Sequence, residues 1–298
     1  ENSFSGNQFS VRGLALTATS LVIVAHERTV GGGGSFVSSR LYGVNLTNGS
    51  NSFSSTSVIE YAPPAATTTQ IAILLRDTST NDTSVAFFDA TFSVIATVGI
   101  GQSARIGVVT MDTANNAYAA SGLGDGTSRV TRCNSSGVAY QTNFDILQRN
   151  TETPVRIVAD TSGNRVYALV FGLFETPPND MDTFLYVLNL TTGQKVSITS
   201  VNSSPDDDDP YDLSIAPGGG VIASCGRTVV NECFVRRLDF EGNYVWNVTI
   251  TNTPVPSPRS HAFDTDGNFL ISNATWTGQD ARIDRINTAT GALISTHQ

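Results

Sequence analysis

An all-β fold built from about six copies of a four-stranded antiparallel unit follows from three features of this 298-residue sequence. Apolar and polar residues alternate in short runs bounded by turn residues, the two-residue period of half-buried strands. Pairs of such runs flank Asp-, Asn- or Gly-centred turns, and the pattern recurs along the whole chain. The composition, 40% hydrophobic but only 14% charged, is rich in Ser and Thr and poor in helix formers, with Lys195 the one lysine.

The elements can be justified in chain order. Ser10 to Ala25 (SVRGLALTATSLVIVA) reads as an inner hairpin and Arg40 to Phe53 (RLYGVNLTNGSNSF) as the outer hairpin of the first unit. The second unit is degenerate. Its inner strands are Ile59 to Ala62 and Gln70 to Leu75, interrupted by Pro63 and Pro64, and its outer hairpin starts at Ser84 (SVAFFDATFSVIATVG). Four clear copies follow. Their inner hairpins are GVVTMDTANNAYAAS from Gly107, VRIVADTSGNRVYALV from Val155, DLSIAPGGGVIAS from Asp212 and SHAFDTDGNFLIS from Ser260. Their outer hairpins start at Ser128, Phe184, Cys233 and Ala281. Gly and Asn at the turns supply the positive φ that tight hairpin loops require. Asp112, Asp160 and Asp264, at the ends of inner strands, read as turn caps that accept backbone amides two residues on.

The outer turns at Gly49, Thr91, Gly137, Gly193, Gly242 and Gly291 have a mean spacing of about 48 residues. A unit of that length cannot bury both faces of its sheet alone, so the copies pack face to face. Six such units predict a six-bladed β-propeller over residues 9–298, preceded by an N-terminal arm of residues 1–8. The blades fall at roughly 9–57, 58–102, 103–152, 153–203, 204–253 and 254–298, and the last blade takes all its strands from the C-terminal end. The inner-hairpin motif, as in IVADTSGNRVYAL and AFDTDGNFLIS, resembles the repeats of NHL-type and related six-bladed propellers. The resemblance implies the fold and little about activity, because that fold hosts lactonases, lyases, receptors and scaffolds.

Charge and hydropathy remove whole classes of partner. A net charge of −9 and a pI near 4.7 oppose binding to nucleic acid. No apolar run reaches the roughly 18 residues of a spanning helix, so membrane insertion is not expected. Eight N-x-S/T sequons, at Asn45, Asn48, Asn81, Asn134, Asn189, Asn202, Asn247 and Asn273, fall mostly in turns and outer strands and predict an extracellular glycoprotein. A start at Glu1 fits a mature chain whose signal peptide has been removed. Cys225 and Cys233, on neighbouring strands of one hairpin, are expected to form a disulfide, leaving Cys133 as a buried thiol.

Two groups of side chains invite a binding role. Asp206, Asp207, Asp208 and Asp209, bracketed by Pro205 and Pro210, supply the oxygen ligands that suit calcium. Adjacent carboxylates of an extended segment point in different directions, however, so a solvated acidic loop is the reading preferred and no cofactor is expected. Arg12, Glu60, Arg105, Arg156, Asp212, Arg259 and His261 lie near the starts of the innermost strands. There they could line the mouth of a channel and bind an anionic or sugar ligand, or simply pair with one another. Three histidines without metal spacing and the absence of a G-x-S-x-G elbow leave no catalytic set. The sequence therefore predicts a secreted, non-enzymatic structural or adhesive module, a partner for itself or another extracellular protein. The alternative is a metal-dependent, lactonase-like hydrolase or a small-ligand or carbohydrate binder.

Overall fold

The computed structural model describes residues 7–29, 36–144, 149–174, 181–201, 208–227, 232–250, 257–274 and 281–297. Among them the protein is all-β, with 25 strands in six sheets and no helix. Sheet 1 comprises β1 (Asn7–Leu16), β2 (Ser20–Thr29), β3 (Phe36–Asn45) and β4 (Asn51–Thr56). Sheet 2 comprises β5 (Ile59–Tyr61), the two-residue β6 (Ala65–Ala66), β7 (Gln70–Asp77), β8 (Asp82–Asp89) and β9 (Val94–Gln102), with both β5 and β6 pairing β7. Sheet 3 comprises β10 (Arg105–Met111), β11 (Ala117–Gly122), β12 (Ser128–Asn134) and β13 (Gly137–Phe144). Sheet 4 comprises β14 (Arg149–Asp160), β15 (Arg165–Phe174), β16 (Met181–Asn189) and β17 (Lys195–Ser200). Sheet 5 comprises β18 (Asp208–Ile215), β19 (Val221–Arg227), β20 (Glu232–Leu238) and β21 (Tyr244–Ile250). Sheet 6 comprises β22 (Ser257–Phe263), β23 (Phe269–Ala274), β24 (Ala281–Ile286) and β25 (Leu293–His297). Every sheet is built from consecutive strands, and none combines the two ends of the chain. Asn7 and Gln8, expected in the arm, instead begin β1 and pair with Thr29 and Arg28 of β2.

Backbone contacts divide the chain into two compact units, residues 1–124 with 128–143, and residues 125–127 with 144–298. In the first unit, Val22, Val24 and Leu41 of sheet 1 pack on Ile71, Ile73, Ala86 and Phe88 of sheet 2. The other face of sheet 2, with Leu74, Val85 and Phe87, packs on Ala117, Ala119 and Cys133 of sheet 3. The second unit repeats the scheme. Tyr167, Leu169, Leu185 and Val187 of sheet 4 meet Leu213, Val221, Ala223 and Phe234 of sheet 5, whose other face meets Phe269, Ile271 and Ile286 of sheet 6. Each fully buried aliphatic or aromatic side chain contributes about 1.5–3 kcal/mol relative to exposure. The outermost strands cover only one face, which is why β17 and β21 alternate in burial while central β11 is buried throughout.

The turns bear out the capping role of the repeated aspartates. Asp112 Oδ1 accepts the amides of Ala114 and Asn116 at 2.9 Å each, Asp160 Oδ1 that of Gly163 at 3.0 Å, and Asp264 Oδ1 those of Asp266 at 2.9 Å and Asn268 at 2.8 Å. The degenerate second unit uses no glycine at its outer turn. Phe92 takes the left-handed conformation there (φ 68°), with its ring stacked on Phe88 at 4.8 Å and against Gly43, where a Cβ would lie 2.6 Å from the ring. Packing of the ring offsets the backbone strain that glycine would have avoided.

The expected Cys225–Cys233 disulfide is not formed, and register is the reason. Cys225 pairs with Phe234 and Cys233 with Gly226, so the two thiols sit one residue out of step and on opposite faces of sheet 5. Cys225 enters the core shared with sheet 4, and Cys233 the core shared with sheet 6. Cys133 is buried, as its sequence context suggested. Burial pushes the thiols of Cys133 and Cys233 up to about 12. Reducing agent should therefore leave the melting temperature unchanged, checked by thermal melts with and without reductant, and a thiol reagent at neutral pH should modify the cysteines only after denaturation, checked by intact-mass analysis.

Candidate functional site

In the second unit, β14, β18 and β22 are the first strands of successive sheets and touch one another in that order. Three of the proposed channel residues meet there. Arg156 Nε donates to Asp212 Oδ1 at 2.9 Å, and His261 Nδ1 lies 3.0 Å from Asp212 Oδ2. The second contact has the distance of an ion pair without the alignment of a ring N–H hydrogen bond. On the far side of the ring, His261 Nε2 contacts Ser214 Oγ. Asp212 and Ser214 are two residues apart on β18 and so share a face, separated by about 7 Å. An imidazole bridging a carboxylate and a hydroxyl fills a gap of that size.

The repeat explains why these residues face each other. Aligned on their turns, Ile157, Leu213 and His261 occupy one position of the inner strand, and Val158 and Ser214 the next. Between sheets 4 and 5, Val158 packs on the core that contains Leu213. Between sheets 5 and 6 the same pair of positions holds Ser214 and His261. The His261 ring packs at 5.1 Å against Phe269 and its side chain is 7% exposed, while Ser214 is half-buried and reachable from solvent.

Burial pushes the Asp212 carboxyl up, but the His261 contact, the Arg156 guanidinium and the Leu213 amide outweigh it and hold it below the usual carboxylate range. A folded-state pKa below the unfolded value contributes stability above about pH 4, lost as pH falls through the folded value. Asp212→Asn should flatten the acid limb of the melting-temperature profile between about pH 5 and 2 relative to wild type; a variant whose profile parallels wild type would contradict the assignment.

The remaining candidates do not join this cluster as described. Glu60 on β5 is buried and lies 3.8 Å from Arg76, whose Nη1 also donates to the Ala104 carbonyl at 2.6 Å. Arg12 and Arg105 are exposed on β1 and β10. The side chain of Arg259 lies outside the described residues, as do Asp206, Asp207, and the side chains of Asp208 and Asp209. Among the described residues no group of three His, Cys, Asp or Glu side chains is placed to hold a metal ion. Of the sequons, Asn45, Asn134 and Asn189 sit at turns, where Oδ1 accepts the amides of Thr47, Ser136 and Thr191. Asn48, Asn81 and Asn247 are exposed, while Asn202 and the Asn273 side chain lie outside the described residues. Ser214 was missed in the sequence because an alternating Asp-x-Ser is ordinary strand pattern. The available signal was a histidine at a repeat position that holds Val109, Ile157 and Leu213 in the preceding units.

No protein-family model matches the chain, and no curated protein matches its sequence. Solved structures do match. The Dos1 propeller superposes with a TM-score of 0.62 at 10% identity, over 99% of this chain and 73% of that one. The β-propeller domain of the Trilobed protease from Pyrococcus furiosus, described as having an open velcro topology, gives 0.59 at 8% identity over 96% and 84%. A protein from Lactobacillus plantarum gives 0.54 at 14% identity over 94% and 81%. The chain has a β-propeller fold. At these identities the likeness carries no activity across.

Proposed function

We propose that this chain is a six-bladed β-propeller that acts outside the cell as an N-glycosylated structural or adhesive module, assembling with further copies of itself. The six sheets, each a blade of consecutive strands, support the blade count. Exposed or turn-borne sequons support glycosylation and an extracellular setting.

One observation carries the assembly. In five of the six sheets, the second residue of the outermost strand is β-branched, apolar and exposed: Ile95, Val138, Val196, Val245 and Ile294, between 38% and 49% accessible. In sheet 1 the equivalent position is Ser52. Single exposed aliphatics are ordinary on any surface, but edge strands are normally guarded by charge. A recurrent unguarded aliphatic at one repeat position marks a surface that is covered in use. The ion pairs near the inner strands, Arg76 with Glu60 and Arg156 with Asp212, suit a scaffold in which charges satisfy each other. Replacing Ile95, Val138, Val196, Val245 and Ile294 together with lysine should leave the fold intact and lower self-association at least about tenfold, measured by sedimentation velocity. An unchanged association constant in the folded variant would reject the surface.

A further inference from the structure

Beyond that structural reading, and independent of it, the geometry points to Ser214 as an activated nucleophile for acyl transfer, with carboxylic esters as the substrate class. At the interface of sheets 4 and 5, Val158 packs on the core containing Leu213, and the same two positions at the interface of sheets 5 and 6 hold Ser214 and His261 in contact. An aliphatic pair would serve packing alone, whereas a half-buried hydroxyl–imidazole pair carries a desolvation cost that stability does not require. A carboxylate completes the row, because Asp212 lies against Nδ1 of the same ring. Arg156 and the Leu213 amide, which bonds Asp212 Oδ1 at 3.0 Å, keep that carboxylate ionised and in place.

The order hydroxyl, imidazole, carboxylate is that of an activated serine and defines each role. With the proton on Nδ1, facing Asp212, the lone pair of Nε2 faces Ser214 Oγ. Oγ forms a bond to the ester carbonyl carbon as its proton passes to Nε2. The carbon–alkoxide bond then breaks, and the alcohol leaves with that proton. Water attacks the acyl-serine, gives a proton to Nε2, and the carbon–Oγ bond breaks to release the acid and return the proton to Oγ. The misaligned Nδ1 contact is of the kind that tightens when a substrate is bound.

The experiment treats the whole chain at neutral pH with a fluorophosphonate, which phosphonylates activated serines with loss of fluoride, and maps the adduct by peptide mass spectrometry. The expected adduct is on Ser214, absent in Ser214→Ala, and formed about a hundredfold more slowly in His261→Leu. The leucine variant restores the aliphatic that the preceding repeats carry at this position and should melt no lower than wild type. No adduct at Ser214 in folded wild-type protein, or equal labelling rates in wild type and His261→Leu, would overturn the assignment.

Discussion

Gly107→Ala should cost roughly 4 kcal/mol or more, a large fraction of the 5–15 kcal/mol that holds a domain folded. Gly107 lies in β10 where the register with β11 shifts between Arg105 and Val108. A Cβ there would stand 1.6 Å from the Ala120 carbonyl oxygen, 2.6 Å from its carbon and 2.9 Å from the Ser121 Cα. All three are backbone atoms of the central strand, so no side-chain rotation can relieve the overlap, and the bulge must open or β11 must move. β11 is buried throughout, so moving it disturbs the core that Ala117 and Ala119 share with sheet 2. Chemical denaturation is the check: the variant should unfold at a much lower midpoint or fail to accumulate as folded protein. By contrast, Gly124→Ala, at a glycine whose Cβ would meet nothing within 4 Å, should stay near wild type. Equal stability of the two variants would remove the bulge from the account.

The second large effect is expected from Phe87→Ala, at about 3–5 kcal/mol. Phe87 is fully buried in the core that joins sheets 2 and 3, among Ala72, Leu74, Ala117, Ala119 and Cys133. Its fully buried neighbours across the interface, Ala117, Ala119 and Cys133, are small, so the ring supplies much of the volume between them. Truncation thus forfeits transfer energy and leaves a cavity. The denaturation midpoint should fall with little change in slope. A loss below about 1 kcal/mol would mean that the two sheets close on one another when the ring is removed.

These cases show what can be read from the amino acids alone. The order of strands and the outer turns were legible because each turn carries its own chemistry: Gly49, Gly193, Gly242 and Gly291 all adopt positive φ at the expected places. Phe92 shows the limit, since the ring that holds its left-handed turn packs not only on nearby Phe88 but on Gly43 of sheet 1, a partner far away in the sequence. The cysteines show another. Two strands of one hairpin were identified, but a shift of one residue decides whether Cys225 and Cys233 meet, and pattern does not fix register to one residue. Arg156, Asp212 and His261, at the starts of successive inner strands, do touch one another. Arg12, Glu60 and Arg105 were grouped with them by the same logic, yet Glu60 engages Arg76 on the neighbouring strand. Ser214 became visible only when its neighbour across the interface was known to be His261 rather than an aliphatic residue.

The central claim is that a repeated outer aliphatic makes this propeller an assembling module. Light scattering of the full chain, secreted from a host that attaches N-glycans, over a wide concentration range, with electron microscopy of the same samples, tests it most directly. Mass should rise with concentration, and regular polymers should form. A strict monomer at every concentration, with no ordered particles in the micrographs, would contradict it.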